Sequence, residues 1–357
     1  MVDEIEDEIE DDGAPGWEAI DAALKAVYPV QAPQHYGPVL RSLLGGEDPL
    51  DGISAYWNDA PLPHWHFVSY GFSELYEKES DDPATSGYGF ELSFRVAAAA
   101  GGEPPAWAMN FLQNLARYVF ANGKVFQQGH YLNAGGPIAA DTDTLLRHVA
   151  FMRDPQLPPR ETPNGSLEFL QVIGLTDDEM EAVKRWSTTG VLETLLPRMP
   201  LWITDIARGS LLGDPALAAA VAEGAAREGS QTAYLFLEKL AWSVQGEGAG
   251  QQLTLTLGAR QVESLLALLP ARLLFGQPLT LVGNDRQITL SPAVVNALVI
   301  DADALDCQLS PATVQALVAT VMPRRGIYAI PGWPALQVVV EPSELRDAEG
   351  TVVSTFG

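Results

Sequence analysis

The run His64-Trp65-His66-Phe67-Val68-Ser69-Tyr70-Gly71-Phe72-Ser73-Glu74-Leu75-Tyr76 is the densest concentration of aromatic and imidazole groups in the chain. Read as a strand, it places His64 and His66 on one face, and neutral imidazole is a common metal ligand. A zinc site needs at least a third protein ligand, and no cluster of His, Cys or carboxylate with metal spacing stands nearby. Packed or hydrogen-bonded histidines are the favoured reading. Asp48 and Asp51 make an acidic pair, but Asp48-Pro49-Leu50-Asp51-Gly52 has the composition of a turn, in which proline presets one dihedral and aspartate bonds nearby amides. Gly246-x-Gly248-x-Gly250 precedes a strand, so a flexible loop accounts for it better than a phosphate cradle. Cys307 is the single cysteine. It excludes an internal disulfide framework, fits a reducing compartment and has no base beside it in sequence. The five histidines, His35, His64, His66, His130 and His148, lack evident nucleophile partners. No Gly-x-Ser-x-Gly elbow, His-Glu-x-x-His or phosphate loop is present. The expectation is a protein that is not an enzyme and holds no cofactor or metal. A hydrolase whose groups meet only in space is the alternative.

With 357 residues, 47% of them hydrophobic, the chain can bury the cores of about two domains. Its 46 acidic and 21 basic residues leave a net charge of -25. That balance repels phosphate backbones and excludes direct nucleic-acid binding; it attracts a basic protein partner, or serves solubility alone. No apolar run approaches the roughly 20 residues that span a bilayer. The chain starts with acids instead of a signal peptide's basic and apolar regions, so the expected compartment is the cytoplasm.

Several elements must position these groups. Eight acids between Asp3 and Asp12 read as part of a mobile tail over 1–16. Trp17, Ile20, Ala23, Leu24 and Val27 have helical spacing, and Val39, Leu40, Leu43 and Leu44 suit a short helix. Residues 53–57 and 64–70 read as strands, the second buried on both faces. Phe90, Leu92, Phe94 and Val96 alternate with Glu91, Ser93 and Arg95, which predicts a half-exposed strand. Residues 107–120 form an amphipathic helix, and 144–152 and 167–173 further strands. Thr176-Asp177-Asp178-Glu179 is a capping box that opens a helix. The first domain is expected over 17–212 and the second over 213–357, entered through a helix that Asp214-Pro215 begins. In the second, strands at 233–237, 253–257, 279–282 and 287–290 include a hairpin at Gly283-Asn284-Asp285. Helices are expected at 261–269, ended by Pro270, at 292–298 and at 311–321, before a last strand at 336–340.

Taken together, these motifs carry a resemblance. Asp48-Pro49-Leu50-Asp51, His64-Trp65-His66 with Ser69-x-Gly71-x-Ser73-x-Leu75-Tyr76, Ser86-Gly87-x-Gly89-Phe90-Glu91-Leu92 and Leu115-Ala116-Arg117-Tyr118-Val119-Phe120 resemble the Suppressor of fused family. Asp154-Pro155-Gln156, Thr162-Pro163-x-Gly165, Phe169-Leu170-Gln171-x-Ile173-Gly174-Leu175 and Leu201-Trp202-Ile203-Thr204-Asp205-x-x-Arg208-Gly209 continue it in the same order. Residues 253–290 and Gly332-Trp333-Pro334-x-Leu336-Gln337 are similar to that family's carboxyl domain, without the long low-complexity insertion of its animal members. The resemblance implies an α+β fold of two mixed α/β-sheet domains joined by a short linker, with a cleft between them. In animal members the domains close on a short extended peptide of Gli-type transcription factors, which adds a strand, the mode known as β-augmentation. By motif, Tyr118 matches a peptide-contacting tyrosine. The position of an aspartate that pairs with a peptide histidine falls near Gly129-His130, and His130 removes that anionic partner. The partner-binding positions so implied are Tyr118, His130, Asp154, Leu211 and Asp214. A compact chain with alanine-rich helices looks bacterial, and bacterial relatives are implied to act as immunity proteins against toxins, many of them basic nucleases. The expectation is a non-enzymatic, immunity-type inhibitor that holds a basic protein or extended peptide in the interdomain cleft, with a general scaffold as the alternative.

Overall fold

A computed structural model describes residues 13–38, 46, 48–301, 304–346 and 351–357. The acidic run up to Asp12 and the helix expected around Val39 to Leu44 lie outside the described residues. The chain divides into two α+β units, the first comprising Met1–Met180 and Leu192–Gly213, the second Glu181–Val191 and Asp214–Gly357.

In the first unit, α1 (Pro15–Val27) opens with proline in its first turn and buries Ile20, Ala23 and Leu24. Five strands or helices then follow: β1 (Gln34–Tyr36), β2 (Gly52–Asn58), β3 (His64–Tyr70), β4 (Thr85–Ala97) and α2 (Ala106–Asn122). After them come β5 (Tyr131–Asn133), β6 (His148–Arg153), β7 (Arg160–Thr162) and β8 (Gly165–Leu175). They build a mixed sheet in the order β1-β2-β3-β4-β8-β6-β5, with β7 paired to β8. Neighbours are antiparallel except β4 and β8, which run parallel. The sheet is covered on both faces. Trp65, Phe67, Phe90, Leu92 and Phe94 pack with Phe111, Leu112, Leu115 and Val119 of α2. On the opposite face Ile20 and Leu24 of α1 pack with Tyr56, Val68, Tyr70 and Phe169.

This double cover explains why every residue of β3 is buried. It also corrects the half-exposed reading of β4, since Glu91, Ser93 and Arg95 are each 0% exposed. Alternation was sound as geometry, but the polar face meets other polar groups instead of water. The strand expected from residue 144 starts only at His148. Asp177–Arg185 forms α3 and Thr188–Leu195 forms α4. The Glu179 carboxylate accepts from the Thr176 amide at 3.1 Å, as a capping box requires. The Thr176 hydroxyl turns instead to Asp178, at 2.5 Å.

In the second unit α5 (Pro215–Glu228) begins at Asp214, whose carboxylate accepts from the Ala216 amide at 3.0 Å. The Trp186 ring lies where Gly224 has no side chain; a Cβ there would come within 2.3 Å of it. Its Nε1 donates to Glu228 at 2.7 Å. Next in order are β9 (Tyr234–Phe236), β10 (Leu240–Gln245), β11 (Gln252–Gly258), α6 (Val262–Leu273), β12 (Leu279–Val282), β13 (Gln287–Pro292) and β14 (Ala297–Asp301). Closing the unit are β15 (Ala304–Leu309), α7 (Pro311–Thr320), β16 (Gly326–Ala329), β17 (Leu336–Glu341), β18 (Ser343–Arg346) and β19 (Val352–Phe356). One sheet has the order β14-β15-β13-β12-β9, another β10-β11-β17-β16, and β18 pairs with β19. Leucines of both larger sheets share one core with α6 and α7.

Three expectations change here. The hairpin at residues 283–286 is present, but residues 292–298 form no helix; β13 ends at Pro292, a turn follows, and β14 begins at Ala297. Val299 and Ile300 of β14 favour a pleated surface, and pairing with β15 supplies it. Pro270 stands inside α6 rather than ending it. Burial of Leu268, Leu269 and Leu273, each under 5% exposed, offsets a proline cost of about 3 kcal/mol. Finally, β17 is followed by the β18-β19 hairpin.

Candidate functional site

Tyr118 lies near the carboxyl end of α2, half-buried, its ring stacked on Phe126 at 5.8 Å and 11°. Phe126 in turn stacks on Phe151 of β6 at 4.1 Å. Beside this column is a groove of about 380 Å³ between α2 and the β5 region. Trp107, Phe111, Leu115 and Leu132 supply apolar walls, while Asn110, Asn114 and Asn133 bring amides to them. β5 stands at one end of the sheet, with β6 as its partner. A sheet edge beside an apolar groove with a few convergent amides suits an extended chain: main-chain bonds hold it and the groove takes alternate side chains.

His130 immediately precedes β5. Its amide donates to Gln127 O at 3.0 Å and its carbonyl accepts from Phe151 at 2.9 Å. Burial lowers its imidazole from the ordinary value, so it adds no cation at neutral pH. Asp154 is elsewhere, in the interior. Leu211 belongs to the first unit, its amide donating to Glu179 Oε1 at 2.8 Å. Asp214 belongs to the second, as the cap of α5. The structure thus places Tyr118 and the strand after His130 at one groove, and Asp154, Leu211 and Asp214 in positions with structural partners.

The histidine-rich strand leads to a buried polar layer. Arg95 on β4 donates to Asp154 through Nη1 at 2.6 Å and Nη2 at 3.0 Å, and both side chains are 0% exposed. Ser93 donates to the same carboxylate at 2.6 Å, and the amides of Gln156 and Leu157 at 2.8 and 3.0 Å. His66 Nε2 faces it at 3.5 Å, while His66 Nδ1 and the Tyr28 hydroxyl are 2.9 Å apart. Burial raises carboxyl groups, but at Asp154 the Arg95 guanidinium and the His66 contact outweigh it and hold the group below the usual range. Burial and the same guanidinium push His66 down to about 4. His66 is therefore neutral at pH 7. Gln171 accepts from Arg95 and donates to the carbonyls of Leu201 and Trp202 at 2.7 and 3.1 Å. Those bonds support two residues at positive φ, 53° and 49°, a conformation costing roughly 1 to 3 kcal/mol each.

Glu91 forms a second node. Ser69 and Ser73 hydroxyls donate to it at 2.5 and 2.6 Å, and the amides of Gly71 and Ser73 at 3.0 and 2.9 Å. Ser69 of β3 and the Gly71 and Ser73 that follow it thus have a common partner 18 to 22 residues away. Burial pushes the Glu91 carboxyl up to about 7, against the pull of those donors. Because the unfolded group ionises near 4.5, protonated Glu91 favours the fold, and that contribution is lost as pH rises through about 7. Denaturation across this window is expected to show Glu91→Gln gaining roughly 1 to 3 kcal/mol on the parent chain between acid and alkaline limits. Parallel pH profiles for the two proteins would contradict this.

A hydroxyl–imidazole pair also exists that sequence did not reveal. His35 Nδ1 lies 3.0 Å from Ser54 Oγ, Ser54 donates to Tyr70 at 3.3 Å, and Tyr70 donates to Asp21 at 2.7 Å. Ser54 is 1% exposed, so the pair works as internal hydrogen bonding between β1, β2, β3 and α1. Among the described residues no group of three or more His, Cys, Asp or Glu is placed to hold a metal, and no helix is long and apolar enough to cross a membrane.

The fold and its groove define a two-unit α+β protein with an edge strand beside an aromatic groove. The family described as Suppressor of fused protein (SUFU) matches residues 46–209. The human Suppressor of fused homolog is 36% identical over 60% of this chain, and the mouse protein gives the same figures. The chain spans 48% of the length of these relatives. The crystal structure of Drosophila Suppressor of Fused matches with a TM-score of 0.81 at 22% identity, over 92% of this chain and 97% of that one, a likeness of fold. A chain of the Sufu-Fu complex crystal structure matches with a TM-score of 0.55 at 32% identity, over 58% of this chain and 98% of that one. The chain belongs, through its first unit, to the Suppressor of fused family.

Proposed function

We propose that this protein is a non-enzymatic binding module that takes an extended segment of another protein along the β5 edge, with Tyr118 and the adjoining groove reading its side chains. The observation that carries this reading is the edge strand flanked by an aromatic groove. The Sufu-Fu complex, a relative's complex, supports protein binding as the activity. The net charge of -25 favours a basic partner, whose approach it accelerates.

The finer reading is an immunity-type inhibitor of bacterial, cytoplasmic origin that blocks a basic toxin. His130 in place of an anionic group means that this partner presents no cationic histidine there. Co-purification with, and protection against, the product encoded beside the gene tests it; failure of both sinks the toxin reading and leaves the binding module. A general scaffold is the second reading, favoured by the backbone-directed character of edge pairing. For either, Tyr118→Ala is expected to weaken the captured partner at least about tenfold, or 1.4 kcal/mol, measured on protein that stays folded despite losing roughly 0.5 to 1.5 kcal/mol with the Phe126 stack. Full-strength binding by that variant would remove the groove from the site.

A further inference from the structure

In the second unit, one edge of the five-stranded sheet carries exposed apolar side chains. β14 is the edge of the five-stranded sheet, paired antiparallel with β15. Val299 and Ile300 on it are 46% and 44% exposed, and Val294 and Val295 in the turn before it 92% and 74%. From Ile288 to Ile300 the chain carries no charged residue. The turn is held firmly. Ala293 donates to Leu309 O at 3.0 Å, Asn296 Nδ2 to Thr313 at 2.8 Å, and the Ser310 amide to Asn296 Oδ1 at 2.6 Å. Four apolar side chains are therefore presented on a fixed support.

Edge strands are ordinarily protected by charge, proline, bulges or cover, because their outer backbone groups template pairing with another chain. The edge strand β10 of the neighbouring sheet is preceded by Glu238 and Lys239. β14 ends at Asp301, and no charge or proline lies along its exposed Val299 and Ile300. We infer that β14 pairs antiparallel with β14 of a second copy of this chain, forming a two-fold dimer through a continuous sheet. Charge selects this occupant. A chain of net charge -25 repels its own copy, and close approach is favoured along a strip without charge. A two-fold axis brings this strip onto itself, setting Val and Ile against Val and Ile, pairs that favour sheets. A basic partner, in contrast, finds nothing on the strip to recognise.

Salt separates the two interactions. Screening weakens attraction of a basic partner but relieves repulsion between two acidic copies, so the dimer tightens as salt is raised. Sedimentation of the purified full chain over a concentration series, at low and high salt, is expected to show a monomer–dimer equilibrium with that dependence. Val299→Lys and Ile300→Lys, each at an exposed position, should weaken it at least about tenfold while leaving melting unchanged. As an independent readout, Val299→Cys should give a disulfide-linked dimer on mild oxidation, Cys307 being fully buried. A chain that stays monomeric at every concentration and salt, and whose Val299→Cys variant does not cross-link, overturns the inference. So does a dimer that survives lysine at both positions. Occupation of the edge by a different protein would leave the purified chain monomeric and has the same consequence.

Discussion

Asp154→Ala is expected to cost the first unit about 3 to 5 kcal/mol, because it strands a buried guanidinium. Arg95 and Asp154 are both fully enclosed. Without the carboxylate, Arg95 keeps only the Gln171 and Gln156 side-chain oxygens, and the Gln156 and Leu157 amides lose their acceptor. Urea denaturation should show a lower midpoint with the slope retained. Arg95→Met combined with Asp154→Leu should recover much of the loss, since it removes the charge along with its partner. The pH dependence has a defined sign. A carboxyl held below its usual value stabilises the fold above the unfolded value of about 3.8, and the contribution is lost as pH falls further. Asp154→Ala should lack that acid limb. A loss under about 1 kcal/mol would mean that water or neighbouring groups satisfy Arg95 unaided.

Trp65→Ala carries a comparable expected loss, about 3 to 5 kcal/mol for truncating a large buried ring. Trp65 is 4% exposed and meets Trp57 edge-on at 5.4 Å. Its indole N–H has no hydrogen-bond partner among the described residues, and an orphaned buried donor costs about 1 to 3 kcal/mol. Trp65→Phe should therefore be far milder than the alanine variant, because the lost area is offset by removal of the orphan donor. Thermal melting of both variants checks the pair. Normal melting of Trp65→Ala with loss of partner binding would make this stretch part of a recognition surface.

Much of the fold was legible because it follows local rules. The spacing of Ile20, Ala23 and Leu24 requires a helix, and the unbroken run from His64 to Tyr70 requires a strand covered on both faces. Glu91, Ser93 and Arg95 show the limit. Alternation assigned them correctly to one face, yet their environment depended on Asp154, 59 residues from Arg95. The stretch from Pro292 was misread for a related reason: strand formation at β14 rests on pairing with β15. Of the candidate site, Tyr118 came from motif alone, whereas the groove beside it needed α2 and β5 brought together.

The sequence by itself determined the two-unit α+β class, the family, the net acidity and the principal buried strand. Periodicity, composition and ordered motifs are properties of neighbouring residues and survive without a third dimension. The tertiary structure decided which polar groups are interior, which histidines are neutral, and which strands are left at an edge. Those properties arise from contacts between distant segments, where burial and an opposite charge set protonation and sheet order sets exposure. His64 and His66, which invited a metal on sequence grounds, stand in a sheet interior where Arg95, Asp154 and Tyr28 define the surroundings.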